Sequence, residues 1–248
     1  MYFEIFKNKT PSLERRINHY LEELLKWSTK WRLTLAVAKC VYTVFSKKQM
    51  IDEFNLKLNG LTLVFDEAPK FLGVFLDTKL NFRKHLKYIE EKCNDRMGII
   101  KALAFGHFKL PFWVLRSLYK SLIRSLMEYT PFISSLIKKK DLNKLQVIQS
   151  KCLRLICGRD CSTTIEELHE VAGVSMVKDR LEKMTKKYIT SNILSGTPLI
   201  LDLARDYNEL KQWYESKNKE MGPSILKSCE EVFTLENAWL TIADEIDD

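Results

Sequence analysis

The chain has 248 residues, 46% of them hydrophobic and 29% charged, with only 8 glycines and 6 prolines. That hydrophobic share excludes wholesale disorder and is enough for a buried core, and so few turn-forming residues argue against an all-β sandwich or propeller. Lysine and arginine number 40 against 32 acidic residues, and residues 201–248 hold 5 basic and 12 acidic side chains, so residues 1–200 carry a net +15.

A basic body with an acidic tail implies a polyanionic partner for the body, with nucleic acid the first candidate. The competing reading is a lysine-rich solvated surface. Glu4 and Lys7 interrupt the N-terminal stretch, so no secretory signal is expected. The longest charge-free run, from Ile189 to Leu201, is too short and too polar for a membrane span. The six cysteines at 40, 93, 152, 157, 161 and 229 have no disulfide-framework spacing and are expected as reduced thiols of an intracellular protein.

In chain order, Tyr2 to Phe6 alternates weakly and predicts a short strand. Thr10-Pro11 reads as an N-cap and first helical position. Leu13, Ile17, Tyr20, Leu21, Leu24 and Leu25 then repeat at three and four, predicting a helix to about Lys30. The period switches to two at Leu33-Thr34-Leu35 and at Val41 to Phe45. Asn59-Gly60 between apolar residues is a hairpin signal. Phe71 to Leu76 reads as a further strand in which Gly73 allows a bulge or a close approach. A small antiparallel sheet over residues 33–77 is expected.

After Asp77 the helical period returns. Leu86, Ile89, Cys93, Met97, Ile100 and Leu103 form one stripe, opposed by Arg83, Lys84, Lys87, Lys92, Arg96 and Lys101. A second helix is predicted from Pro111 to about Tyr129, with Leu115, Leu118, Leu122, Ile123 and Leu126 inward. Lys138 to Lys140 marks a turn. A third helix uses Leu142, Leu145, Ile148, Cys152, Leu155 and Ile156 and ends at Gly158. Thr163-x-x-Glu166 reads as a capping box for a short helix ended by Gly173. Further helices are expected over Val177–Leu194 and about Leu199–Tyr214, with a break at Gly222-Pro223. The fold class is α+β, mostly helical. The expected domains are 1–77 (a helix and β-layer), 78–158 (a three-helix bundle) and 159–248 (a helical region with the acidic tail).

No phosphate-binding loop, dinucleotide fingerprint, zinc-protease or serine-hydrolase motif occurs. Asp66, Glu67 and Asp77 sit beside predicted turns, and Asp77 is expected as a turn or cap residue rather than a ligand. Cys157, Cys161 and His169 have part of a zinc spacing, and only Cys152 from the preceding helix would complete four ligands. A core role for Cys152 is the preferred reading, and no metal is expected. The basic face of residues 83–101, flanked by Phe82, Tyr88 and Phe105, suits a phosphate backbone.

The order of motifs goes further. Leu24-Leu25-Lys26-Trp27 to Trp31-Arg32-Leu33 is followed by Lys39-Cys40, Leu58-Asn59-Gly60 and Lys70-Phe71-Leu72-Gly73-Val74-Phe75-Leu76-Asp77. Leu80-Asn81-Phe82 to Leu86, Leu118-Tyr119-Lys120-Ser121, Glu128-Tyr129, Leu145 to Arg154, Leu168-His169 and Asp179-Arg180 come next. This series resembles the reverse transcriptase of jockey-like non-LTR retrotransposons over roughly residues 10–200. It differs at Ala36-Val37, where that family has Asn-Pro.

The resemblance implies that residues 1–77 correspond to the end of the palm. Lys70, Phe71, Leu72 and Gly73 would correspond to the primer grip, and residues 78–158 to the thumb. Together with Lys39 and the basic face of Arg83, Lys84, Lys87, Lys92, Arg96 and Lys101, these would touch an RNA–DNA or RNA template–primer duplex. The family's catalytic aspartates would lie before Met1. No catalytic residue, no cofactor and no polymerase activity are therefore expected of this chain alone, Mg²⁺ belonging to the complete family enzyme. The alternatives are a helical protein-interaction module, with the acidic tail meeting a protein partner, and a non-functional transposon remnant.

Overall fold

A computed structural model describes residues 10–46, 54–107 and 109–219. The strand expected over Tyr2–Phe6 and the break at Gly222-Pro223 lie outside them. The chain divides into two compact units, residues 1–84 and 85–248.

In the first unit, helix α1 runs Thr10–Lys30 and ends in a left-handed residue, Arg32, at φ 53°. The Leu33 N–H reaches back to the Ser28 carbonyl (2.8 Å) and the Arg32 N–H to Thr29 (3.0 Å), the paired bonds of a Schellman stop. That stop uses the backbone of Leu33, and Leu33–Leu35 is not a strand. A 3₁₀ turn succeeds it at Val37–Lys39.

The expected single antiparallel sheet is replaced by three two-stranded ladders. Strand β1 (Val41–Tyr42) pairs in parallel with β4 (Val64–Phe65). Strands β2 (Lys57–Leu58) and β3 (Leu61–Thr62) form the Asn59-Gly60 hairpin, with φ of 51° and 76° at the turn. Strands β5 (Lys70–Phe71) and β6 (Val74–Phe75) form a second hairpin, so Phe71 to Leu76 is two strands and a turn rather than one strand. Short ladders hold because the first unit buries its apolar residues against α1: Leu13, Phe54, Leu56, Leu58 and Leu63 make its core.

The second unit is helical. Helix α2 spans Arg83–Phe105, beginning in the last residues of the first unit. The helix predicted from Pro111 to Tyr129 is interrupted: α3 (Phe112–Tyr119) passes into a π turn at Lys120–Arg124 and then α4 (Ser125–Glu128). One consequence is a shifted stripe, because a π turn rotates the helix beyond it. Leu115, Tyr119, Ile123 and Met127 are buried, while Leu118, Leu122 and Leu126 only border the core.

Helix α5 (Lys139–Cys157) takes in Lys139 and Lys140 and ends at a left-handed Gly158. Helix α6 (Ile165–Ala172) is capped by Thr164, whose hydroxyl accepts the Glu167 N–H, one residue later than the predicted box. Helices α7 (Val177–Leu194) and α8 (Pro198–Ser216) complete the described chain. Leu86, Cys93, Ile123, Cys152, Leu168 and Leu181 belong to one buried cluster. That cluster draws on α2, α5, α6 and α7, so residue 158 is not a division between compact units.

Candidate nucleic-acid interface

In the first unit the β5–β6 hairpin carries the candidate residues. Phe71 pairs with Val74, leaving Leu72 and Gly73 as a two-residue turn with φ of 44° and 86°. Positive φ at both positions matches the twist of a tight hairpin. Gly73 adopts it freely, whereas the left-handed region costs a side chain such as Leu72 about 1–2 kcal/mol. No core compensates the cost, since Leu72 is 74% exposed and Phe71 62%. Strain of this kind concentrates where a surface serves binding.

Two lysines converge on this hairpin. Lys70 Nζ lies 5.4 Å from the Phe75 ring centroid and Lys84 Nζ lies 5.1 Å from it. Lys84 also donates to the Ala68 carbonyl at 3.3 Å. Asp77 delivers Lys84 to that place. Its carboxylate accepts the N–H groups of Lys79, Asn81 and Phe82 (3.2, 3.0 and 2.6 Å), and the Asn81 side chain accepts that of Arg83 (3.1 Å), so together they cap the start of α2. Asp66 likewise accepts the Ala68 N–H at 2.9 Å. Arg83 is exposed in the same first turn of α2. Lys39 ends the 3₁₀ turn with an exposed side chain, and no described hydrogen bond or ion pair joins it to the hairpin.

In the second unit, Lys87, Lys92 and Lys101 are exposed on α2. Lys87 faces Glu91 (3.9 Å) and Lys92 faces Asp95 (3.8 Å), exposed pairs that reduce the net charge of the face. Arg96 departs from the expected solvated face. It is half-buried and donates to the Leu122 carbonyl inside the π turn. The physical reason is local, because a π turn leaves a carbonyl without its helical partner and a buried carbonyl needs a donor.

Two residues of the partial zinc pattern, His169 and Cys152, are packed in the core. His169 is buried, with Nδ1–H donating to the Val174 carbonyl (2.7 Å) and Nε2 accepting from Gln146 (2.8 Å). Both ring nitrogens are thereby engaged. Cys152 is fully buried, and burial pushes its thiol up to about 12.

One basic cluster lies outside the residues expected from the sequence, although Arg116, Lys120, Arg124 and Glu128 recur every four residues. Arg124 and Arg180 both donate through Nε to the same Glu128 oxygen, Arg180 at 2.9 Å. Arg116 donates to the Gly173 carbonyl at 2.6 Å. Helix periodicity read as an apolar stripe alone hides this face, whereas the four-residue spacing of like charges is a signal for it.

Comparison with known proteins bears on the motif order. The chain is 25% identical over 173 residues to "RNA-directed DNA polymerase from mobile element jockey" of Drosophila melanogaster, covering 70% of this chain and 19% of that protein. It is 26% identical over 172 residues to the protein of the same name from Drosophila funebris, covering 69% and 19%. A third match, at 25% over 177 residues, is "Probable RNA-directed DNA polymerase from transposon BS" of Drosophila melanogaster, covering 70% and 19%. The chain is a relative of jockey-like mobile-element RNA-directed DNA polymerases. It spans about a fifth of the length of the curated relatives it matches. No family model and no solved structure matches it. Among the described residues, no helix of this relative is long and apolar enough to cross a membrane.

Proposed function

We propose that the chain is a template–primer-holding segment of an RNA-directed DNA polymerase, in which the β5–β6 hairpin grips nucleic-acid backbone. The observation that carries this reading is the hairpin itself. Two ammonium groups sit over one aromatic ring, beside an exposed apolar tip held in a strained turn. Ammonium groups supply phosphate contacts, and Phe71 and Leu72 supply apolar surface against sugar or base. Such contacts hold a duplex without reading its sequence. Arg83 in the capped first turn of α2 and the exposed lysines of α2 add further positive charge in their own units.

No metal-dependent step is assigned to the chain. Asp66 and Asp77, which flank the hairpin in sequence, accept backbone N–H groups and act as turn residues. The test is fluorescence anisotropy of the full chain with a labelled RNA–DNA hybrid across a salt series. Affinity should fall linearly in log–log form, and Lys70→Ala with Lys84→Ala should flatten the slope by up to about 1.8, two contacts at about 0.9 each. A folded chain with no salt-dependent affinity for the hybrid refutes the reading.

A further inference from the structure

We propose that Arg116, Lys120, Arg124 and Arg180 form a second phosphodiester-binding site, on the face that α3, the π turn, α4 and α7 present within the second unit. The proposal rests on the template–primer reading and adds a contact site to it. Three guanidinium groups and one ammonium are grouped near a single carboxylate, Glu128, which pairs with only two of them, Arg124 and Arg180. Arg124 and Arg180 use Nε on one Glu128 oxygen, and Arg124 Nη2 reaches Ser175 Oγ at 3.3 Å. Arg116 is fixed on the Gly173 carbonyl, and the ideal position of a Cβ at Gly173 would lie 2.9 Å from its Nη2. The arginines are therefore held before any ligand arrives, so little side-chain entropy remains to be lost on binding.

Lys120 stands in the middle of the series, exposed, and no described carboxylate lies within ion-pair distance of it. Residues spaced by four drift round an α-helix by about 40° per step. The π turn at Lys120–Arg124 takes more residues per turn and opposes that drift, which keeps Arg116, Lys120 and Arg124 on one face. Partial desolvation, and then the charges of Arg116, Arg124 and Arg180, hold the Lys120 ammonium below its ordinary value against the opposing charge of Glu128, as expected where four cations have one carboxylate among them. A ligand of concentrated negative charge with several acceptor oxygens relieves that repulsion, and a phosphodiester fits guanidinium geometry.

The experiment uses the full chain with the labelled RNA–DNA hybrid. Lys120→Gln should lower the salt slope by about 0.9 and weaken binding at 0.1 M salt by up to about eightfold, the value set by one lost counterion-releasing contact. Lys120→Arg, which keeps the charge, should restore both. Bound hybrid should also protect Lys120 from amine acylation. If Lys70→Ala and Lys84→Ala flatten the slope while Lys120→Gln does not, this site is overturned and the hairpin reading stands. If no hybrid binds at all, both fall. If poly-glutamate of equal charge displaces the hybrid as well as unlabelled RNA does, the site takes carboxylate polyanions and the phosphodiester assignment is wrong.

Discussion

Leu72 is the residue at which fold and function pull apart. Its φ of 44° belongs to glycine or asparagine, and its side chain is 74% exposed. Leu72→Asn should therefore raise stability by about 0.5–1 kcal/mol, part of the left-handed penalty being relieved. If the apolar tip serves binding, the same change weakens hybrid affinity. Denaturant melts and anisotropy on one preparation measure both, and a destabilised variant would show that the turn is not strained. The cysteines give a second residue-scale prediction. Cys93 and Cys152 are buried, and burial pushes both thiols up to about 12, whereas Cys161 is exposed. A thiol reagent at neutral pH should modify Cys161 in the native protein and reach Cys93 and Cys152 only on unfolding. Mass spectrometry of the modified peptides checks the order.

Helices α4 and α7 are joined by a shared ion, Glu128, that acts at the scale of elements. Burial pushes its carboxyl up, but hydrogen bonds from Arg180 and Arg124 outweigh burial and hold it below the ordinary Glu value. A group held low in the fold contributes stability above its unfolded value, near 4.3. That contribution disappears as pH falls through the folded value. Glu128→Gln should thus lower stability at neutral pH and flatten the acid limb of the stability curve. Urea midpoints from neutral pH to about pH 3 test this, and an unchanged acid limb would mean that Glu128 is not the linking charge. The π turn belongs to the same scale. It accompanies a buried stripe at Tyr119, Ile123 and Met127, and the Leu122 carbonyl within it accepts from Arg96.

Across the whole molecule the charge is divided along the chain. Residues 220–248 carry 8 acidic side chains against Lys227, so residues 1–219 keep the full +15. An acidic segment on a basic chain competes with nucleic acid for the same cations. Removal of residues 220–248 should tighten hybrid binding at low salt, with the difference shrinking as salt screens both interactions. Equal affinities of the two forms at low salt would remove the tail from the account.

Helical periods, end signals and motif order were legible in the sequence because each depends on neighbours within a few residues. Gly158 and Gly173 stop their helices as expected, and Asn59-Gly60 turns its hairpin. The relation to jockey-like polymerases also lay in linear order. Tertiary structure decided everything set by partners distant in the chain. A parallel β1–β4 pair took the place of a continuous sheet, because register depends on which strands meet. Lys84 joined Lys70 at one ring because Asp77 holds the turn that leads into the helix and Asn81 accepts the helix's first N–H, that of Arg83. Arg96 left the basic face because it donates to a carbonyl 26 residues later, that of Leu122 in the π turn. His169 became a link in the core because Gln146 and Val174 occupy both its nitrogens. Periodicity identifies the face of a helix, whereas the partner of each side chain is set by how buried polar groups are satisfied.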